Sequence, residues 1–147
     1  MNISEHEVKK YKKLLDTAQR AHGPVVLVNA CTHGHETVGA SVIEILKTLP
    51  LISGTLLFNI ANEQAKERGV DYIETDLNRS FPGNAAGTYE EQIASFLHPI
   101  VKACDVVIDI HSTNTIKDPR DRMLILTKYD DATRAVAQHI VVSRTIV

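Results

Sequence analysis

The sequence predicts an α/β fold, with a mixed, largely parallel sheet flanked by helices. Three observations carry that expectation. Apolar runs such as Val25-Val26-Leu27-Val28 and Val106-Val107-Ile108 do not alternate with polar residues, as strands buried on both faces require. Between these runs lie segments whose apolar residues recur at helical spacing, and strands alternating with helices build parallel sheets. Finally, two of the runs empty into histidine-bearing clusters, ACTHGHETVG and DIHST, and ligands of such sheets gather where strands end.

The elements follow in order. Ser4 can cap a helix in which Val8, Tyr11, Leu14, Leu15 and Ala18 keep helical spacing, and His22-Gly23-Pro24 breaks it. The basic stretch Lys9-Lys10-Tyr11-Lys12-Lys13 lies among acidic residues and reads as a solvated helix face. Residues 24–30 form a buried strand, and residues 38–49 a helix with Val42, Ile45, Leu46 and Leu49 on one face, stopped at Pro50. A second strand is expected over 54–60 and a short helix over 63–68. Residues 69–88 are a long irregular loop rich in Asp, Asn, Gly and Pro, a length that is usually functional inside a compact domain. Residues 89–103 suit a helix with Ile93, Phe96, Leu97 and Ile100 inward. A third strand covers 105–110, a fourth 122–127, and a further helix 132–140. Residues 141–147 begin another strand-like segment without a closing helix, so the fold is expected to be truncated at its C-terminus.

A chain of 147 residues fits one domain, residues 1–147, with a true core. Its 44% hydrophobic and 23% charged residues exclude disorder. A net charge of -2 gives no general attraction to nucleic acid or anionic membranes, so neither is expected as a partner. No apolar run approaches the ~20 residues of a membrane span. The opening MNISEHEVKK is too polar for a secretory signal, and two cysteines make no disulfide framework, so the cytoplasm is the expected compartment. Cys31 is expected as a small buried residue rather than a ligand.

His33 and Glu36 stand three residues apart at the expected opening of a helix, a spacing that puts both on one side of the first turn. Imidazole and carboxylate together suit zinc, which commonly takes three protein ligands. His111, at the exit of the third strand, is the candidate third ligand, 111 − 36 = 75 residues after Glu36. The plainer alternative makes Gly34 a turn, Thr32 a helix cap and His111 a solitary strand-end histidine. His35 diverges from its neighbours and reads as a substrate-side or surface residue. Asp109 is read as facing away from His111 unless the strand bends. Within TDLNRSFPGN, residues 75–84, Asn78 and Arg79 are suited to gripping a carboxylate, Arg through its bidentate fork, with Pro82-Gly83 as the turn that aims them.

THGHE at 32–36, DLNRSFPG at 76–83 and DIHS at 109–112, in this order, resemble the succinylglutamate desuccinylase/aspartoacylase family, a branch of the zinc carboxypeptidase superfamily. The similarity runs from about residue 24 to residue 127. It implies a zinc carboxypeptidase-like fold and a zinc hydrolase that cleaves the amide of a small N-acyl amino acid. His33, Glu36 and His111 match the family's zinc ligands, and Asn78 and Arg79 its substrate-carboxylate binders. Zinc there would polarise the amide carbonyl and bring the pKa of bound water toward ~7. Two departures stand out. Members with the best-known substrates usually carry arginine just before the aromatic residue preceding DLNR, where this chain has Asp71 before Tyr72 and Arg68 three residues earlier. The family's general base, a glutamate from a later strand, finds no matching segment before Val147; Glu90 and Glu91 read as solvent-facing or capping residues. The catalytic base is therefore unassigned. Two rival readings are a carboxypeptidase-like peptidase and a truncated domain that binds metal or a carboxylate without turnover. An open sheet edge at 141–147 would favour a homo-oligomer.

Overall fold

The computed structural model describes residues 1–112, 122–124, 131–140 and 144–146. They belong to two compact units, Met1–Ser112 and Thr113–Val147.

The first unit carries α1 (Glu5–Arg20), β1 (Val25–Ala30), α2 (Val38–Leu46), β2 (Thr55–Ile60), α3 (Glu63–Arg68), a single 3₁₀ turn (Leu77–Arg79), α4 (Tyr89–Ala103) and β3 (Val106–Ile110). The three strands are parallel in the order β2-β1-β3, so the strand order reverses at β1. Helices cover both faces. Tyr11 and Ala18 of α1 and Ile93, Leu97 and Ile100 of α4 pack with Val25, Leu27 and Leu57 on one face. Ile43 of α2 packs with Val28 and Ala30 on the other. Chain reversal at β1 leaves a crevice beside its carboxyl end, where open α/β sheets bind ligands.

Local chemistry explains most boundaries. Ser4 and Glu7 form a capping box at the start of α1, and Thr88 and Glu91 form another at the start of α4. Asn62 caps α3 through Ala65 N, and Gly69 ends it in the left-handed region at φ 64°. Two expectations need correction. Within the basic stretch, Lys10 is not solvated: its Nζ lies 2.8 Å from both Ile60 O and Glu63 Oε1. The inward face of α2 is also different, for Ile45 and Leu49 are exposed while Gly39 and Ile43 are buried. Gly39 is the cause. A Cβ there would sit 2.7 Å from Ala30 Cβ and 3.0 Å from Ile110 Cβ, so the helix seats its glycine on the sheet and turns Ile43 inward.

Glu7 shows how the first unit is tied together. Its side chain, 2% exposed, accepts hydrogen bonds from the Ser4 amide and hydroxyl and from the Tyr89 hydroxyl of α4. Burial pushes this carboxyl up, but the Tyr89 and Ser4 bonds and the Lys10 charge outweigh it and hold the group below the usual glutamate range. A depressed folded pKa contributes stability above the unfolded value of about 4.3, and that stability is lost as pH falls through the folded value. Glu7→Gln should therefore cost about 1–3 kcal/mol at neutral pH. Its acid limb in urea titrations below pH 4.3 should be correspondingly shallower than that of the parent, by the same linkage. Parallel limbs would refute the assignment.

In the second unit, β4 (Arg122–Leu124) and β5 (Arg144–Ile146) pair in parallel, and α5 (Asp131–Ala137) lies between them in sequence. The expected strand over 122–127 is described only to Leu124, and residues 141–143 and 147 lie outside the described residues.

Candidate metal centre

β1 ends abruptly at a strained residue. Cys31 adopts φ 56°, in the left-handed region where a side chain is disfavoured, and it is fully buried. The chain leaves the sheet there and makes a tight turn, with Glu36 N donating to His33 O at 3.1 Å. Gly34 lets this turn press on α3, since a Cβ would lie 2.1 Å from the Ala65 carbonyl carbon. His33 and Glu36 are thus brought together by a turn before α2, not by the helix itself, which starts only at Val38. Thr32 caps no helix. Its hydroxyl lies 3.1 and 3.0 Å from the two carboxylate oxygens of Asp109.

His111 follows directly on β3, the neighbour of β1. His33, Glu36 and His111 each offer a ligand atom, and these atoms all lie within 4.8 Å of one another. The pairs are His33 Nδ1 to Glu36 Oε1 at 3.5 Å and His111 Nδ1 to Glu36 Oε2 at 2.8 Å. Glu36 is 5% exposed. The far nitrogen of each ring meets a carboxylate: His33 Nε2 lies 3.3 Å from Asp76 Oδ1, and His111 Nε2 lies 3.0 Å from Asp109 Oδ2. A proton donated from Nε2 leaves the Nδ1 lone pair facing the cluster, as metal-ligating histidines require. This donor set fits zinc. The Asp109 hydrogen bond, against the effect of burial and helped by the Asp109 and Glu36 charges, pushes His111 up to about 9. A cation entering the cluster would displace the proton on Nδ1 and leave the one on Nε2.

Asp109 corrects the sequence reading. Positions two apart along a strand share a face, so Asp109 and His111 lie on the same side and no bend is needed. Asn78 and Arg79 lie on the 3₁₀ turn, capped by Asp76, whose side chain accepts from Asn78 N at 2.9 Å. The Asn78 amide approaches His33 Nε2 at 3.4 Å. Arg79 donates its backbone N–H to Asp76 O at 2.9 Å, while its side chain is exposed and forms no hydrogen bond or ion pair with another described residue. His35 pairs with Asp71 at 2.6 Å. Of the two glutamates after the loop, Glu91 caps α4, but Glu90 is wholly buried rather than solvent-facing. Its oxygens accept from Ile73 N, Glu74 N, Thr75 N and Asn62 Nδ2, at 2.6, 3.1, 3.0 and 3.0 Å, which secures the loop leading to Asn78. The spacing from Thr88 marks Glu91 as the capping residue, but nothing in the local sequence marks Glu90 as buried. Asp76 and Asp109, by contrast, were visible within the motifs that carry the cluster.

Fold and site together define an open parallel α/β domain that gathers two imidazoles and a carboxylate at the carboxyl ends of adjacent strands. Over residues 22–119 the chain matches the succinylglutamate desuccinylase/aspartoacylase catalytic domain, and it belongs to that family. It is 38% identical over 96 residues to a probable aspartoacylase of Nostoc sp., covering 56% of this chain and 33% of that protein. It is 31% identical over 102 residues to the N-alpha-acetyl-L-2,4-diaminobutyric acid deacetylase of Halomonas elongata, covering 64% and 30% respectively. Its structure is similar to that of an aspartoacylase family protein of Mesorhizobium loti, with a TM-score of 0.66 at 25% identity over 79% of this chain and 40% of that one. The chain thus spans about a third of the length of these curated relatives. Among the described residues, no helix is long and apolar enough to cross a membrane.

Proposed function

We propose that this protein is a zinc-dependent amidohydrolase acting on small N-acyl amino acids, with His33, Glu36 and His111 holding the metal. The observation that carries this reading is the convergence of two imidazole nitrogens and a buried carboxylate in a chain whose relatives include a deacetylase of an N-acetyl amino acid. Zinc, when bound, supplies a Lewis acid for the scissile carbonyl. Arg79, whose side chain has no partner among the described residues, grips the substrate carboxylate through its fork, and Asn78 adds an amide donor beside it. Asp76 couples the two halves of the site, because it caps the turn that bears Asn78 and also meets His33. Asp109 holds His111 in the tautomer that turns Nδ1 inward. Glu36 is committed to the cluster and Glu90 to the loop, so the general base is a different group. The expected setting is the cytoplasm, consistent with two free cysteines, and the expected assembly is a homo-oligomer without nucleic-acid or membrane partners.

A panel of N-acyl amino acids assayed beside short peptides, before and after chelation, tests the reading. Chelator-sensitive release of free amino acid from the N-acyl compounds supports it, and hydrolysis confined to peptides makes the protein a peptidase instead. On the preferred substrate Arg79→Ala should raise KM with a loss of about 1.5–3 kcal/mol, or roughly 10–100-fold. Arg79→Lys should recover only part, because a point charge lacks the fork. An unchanged KM in Arg79→Ala would remove Arg79 from substrate binding.

A further inference from the structure

Three polar side chains stand in line across the sheet. Asn59 on β2, Asn29 on β1 and Asp109 on β3 are direct partners in the strand register. Asn59 Nδ2 donates to Asn29 Oδ1 at 2.7 Å, and Asn29 Nδ2 donates to Asp109 Oδ1 at 2.9 Å and to Thr32 Oγ1 at 3.0 Å. The line ends at His111, whose Nε2 lies 3.0 Å from the other Asp109 oxygen. Both asparagines are buried on the face where Leu27 and Leu57 build the apolar core. An apolar residue would suit that setting better. Among the described residues Asn59 Oδ1 in fact finds no hydrogen-bond partner, a deficit that costs stability. Buried polar groups kept at such a cost call for an explanation beyond stability.

We infer that Asn29 and Asn59 are positioning residues: they fix the Asp109 carboxylate, which in turn fixes the ring of His111 for metal binding. The inference rests on the proposed metal role of His33, Glu36 and His111. Asn29 spends its carbonyl on Asn59 and its amide group on Asp109 and Thr32, which sets its orientation. Thr32 braces both Asp109 oxygens from the turn that carries His33. Rotation of Asp109 is thereby restrained from two sides, and with it the direction in which His111 points its Nδ1.

The test compares the parent chain with Asn29→Leu and Asn59→Leu. Zinc affinity is measured by chelator competition, folding without metal by urea denaturation, and the His111 Nε2 proton by ¹⁵N-resolved NMR of the zinc-loaded protein. The parent should bind zinc and show a slowly exchanging Nε2 proton on His111. Asn29→Leu should weaken zinc by about 10–100-fold, the usual effect of losing an outer-shell partner, and speed exchange of that proton. Asn59→Leu, one step further from the ring, should shift both in the same direction by less. A merely structural role would lower the urea midpoint while leaving affinity and proton exchange unchanged, and that result overturns the inference. Should Asn29→Leu fail to fold, unchanged zinc affinity in Asn59→Leu does the same. Failure of the parent itself to bind zinc would instead overturn the metal assignment.

Discussion

Glu36→Gln should weaken zinc binding by roughly 10²–10³-fold. Structural zinc in four-ligand sites is worth about 10–16 kcal/mol, or about 2.5–4 kcal/mol per ligand, and each 1.4 kcal/mol is a factor of ten. Glu36 is the only carboxylate of the three-residue cluster and lies within 3.5 Å of the Nδ1 of each ring, whereas Asp76 and Asp109 meet the far nitrogens. Glutamine keeps the size of the side chain and one acceptor oxygen, and the metal-free fold should survive. Competition against a chromogenic chelator reads the affinity directly, with circular dichroism to verify folding. A folded Glu36→Gln protein that binds zinc as tightly as the parent would show that the carboxylate is not a ligand.

The other large effect lies away from the metal. Glu90→Gln should cost about 1–3 kcal/mol of stability for each buried N–H that it leaves without an acceptor. The wild-type side chain is 0% exposed and accepts four N–H groups, three of them from the consecutive residues Ile73, Glu74 and Thr75. A glutamine puts an NH₂ where one oxygen stood, so donors face donors and at least one amide of the loop is left unpaired. Domains are commonly stable by only about 5–15 kcal/mol, which makes the loss a large share of the total. Urea denaturation gives the magnitude, and hydrogen exchange at the amides of Ile73, Glu74 and Thr75 gives the location. Loss of protection at those amides should accompany poorer substrate binding, since the same loop leads into Asp76, Asn78 and Arg79. A change below about 1 kcal/mol, in the range of ordinary surface substitutions, would refute the anchoring role.

What could be read in advance, and what could not, divides by the range of the interactions involved. The helix Tyr89–Ala103 was legible to the residue from the period of Ile93, Phe96, Leu97 and Ile100, and the structure adds the Thr88–Glu91 capping box that starts it. His33, Glu36 and His111 stood out as candidates from their residue types and strand-exit positions, the family resemblance grouped them, and the fold does bring them together. The face that α2 buries was not legible. Gly39 has no hydrophobic side chain to signal a core position, and only its close approach to Ala30 and Ile110 reveals it. Glu90 was misread for a related reason, since its partners are backbone amides 15 to 17 residues earlier, which carry no sequence signature.

The sequence alone determined the type and order of the helices and strands in Met1–Ser112 and the donor side chains at the strand exits, because periodicity, caps and strand-exit residues act within a few positions of one another. Tertiary structure decided what lies beside what. Asn29 and Asn59 are unremarkable in their own strands and join Asp109 in a connected line only when β2, β1 and β3 pair in this register. That register is fixed by the packing of α1, α4 and α2 against the two sheet faces, between residues dozens of positions apart, and no local pattern encodes it.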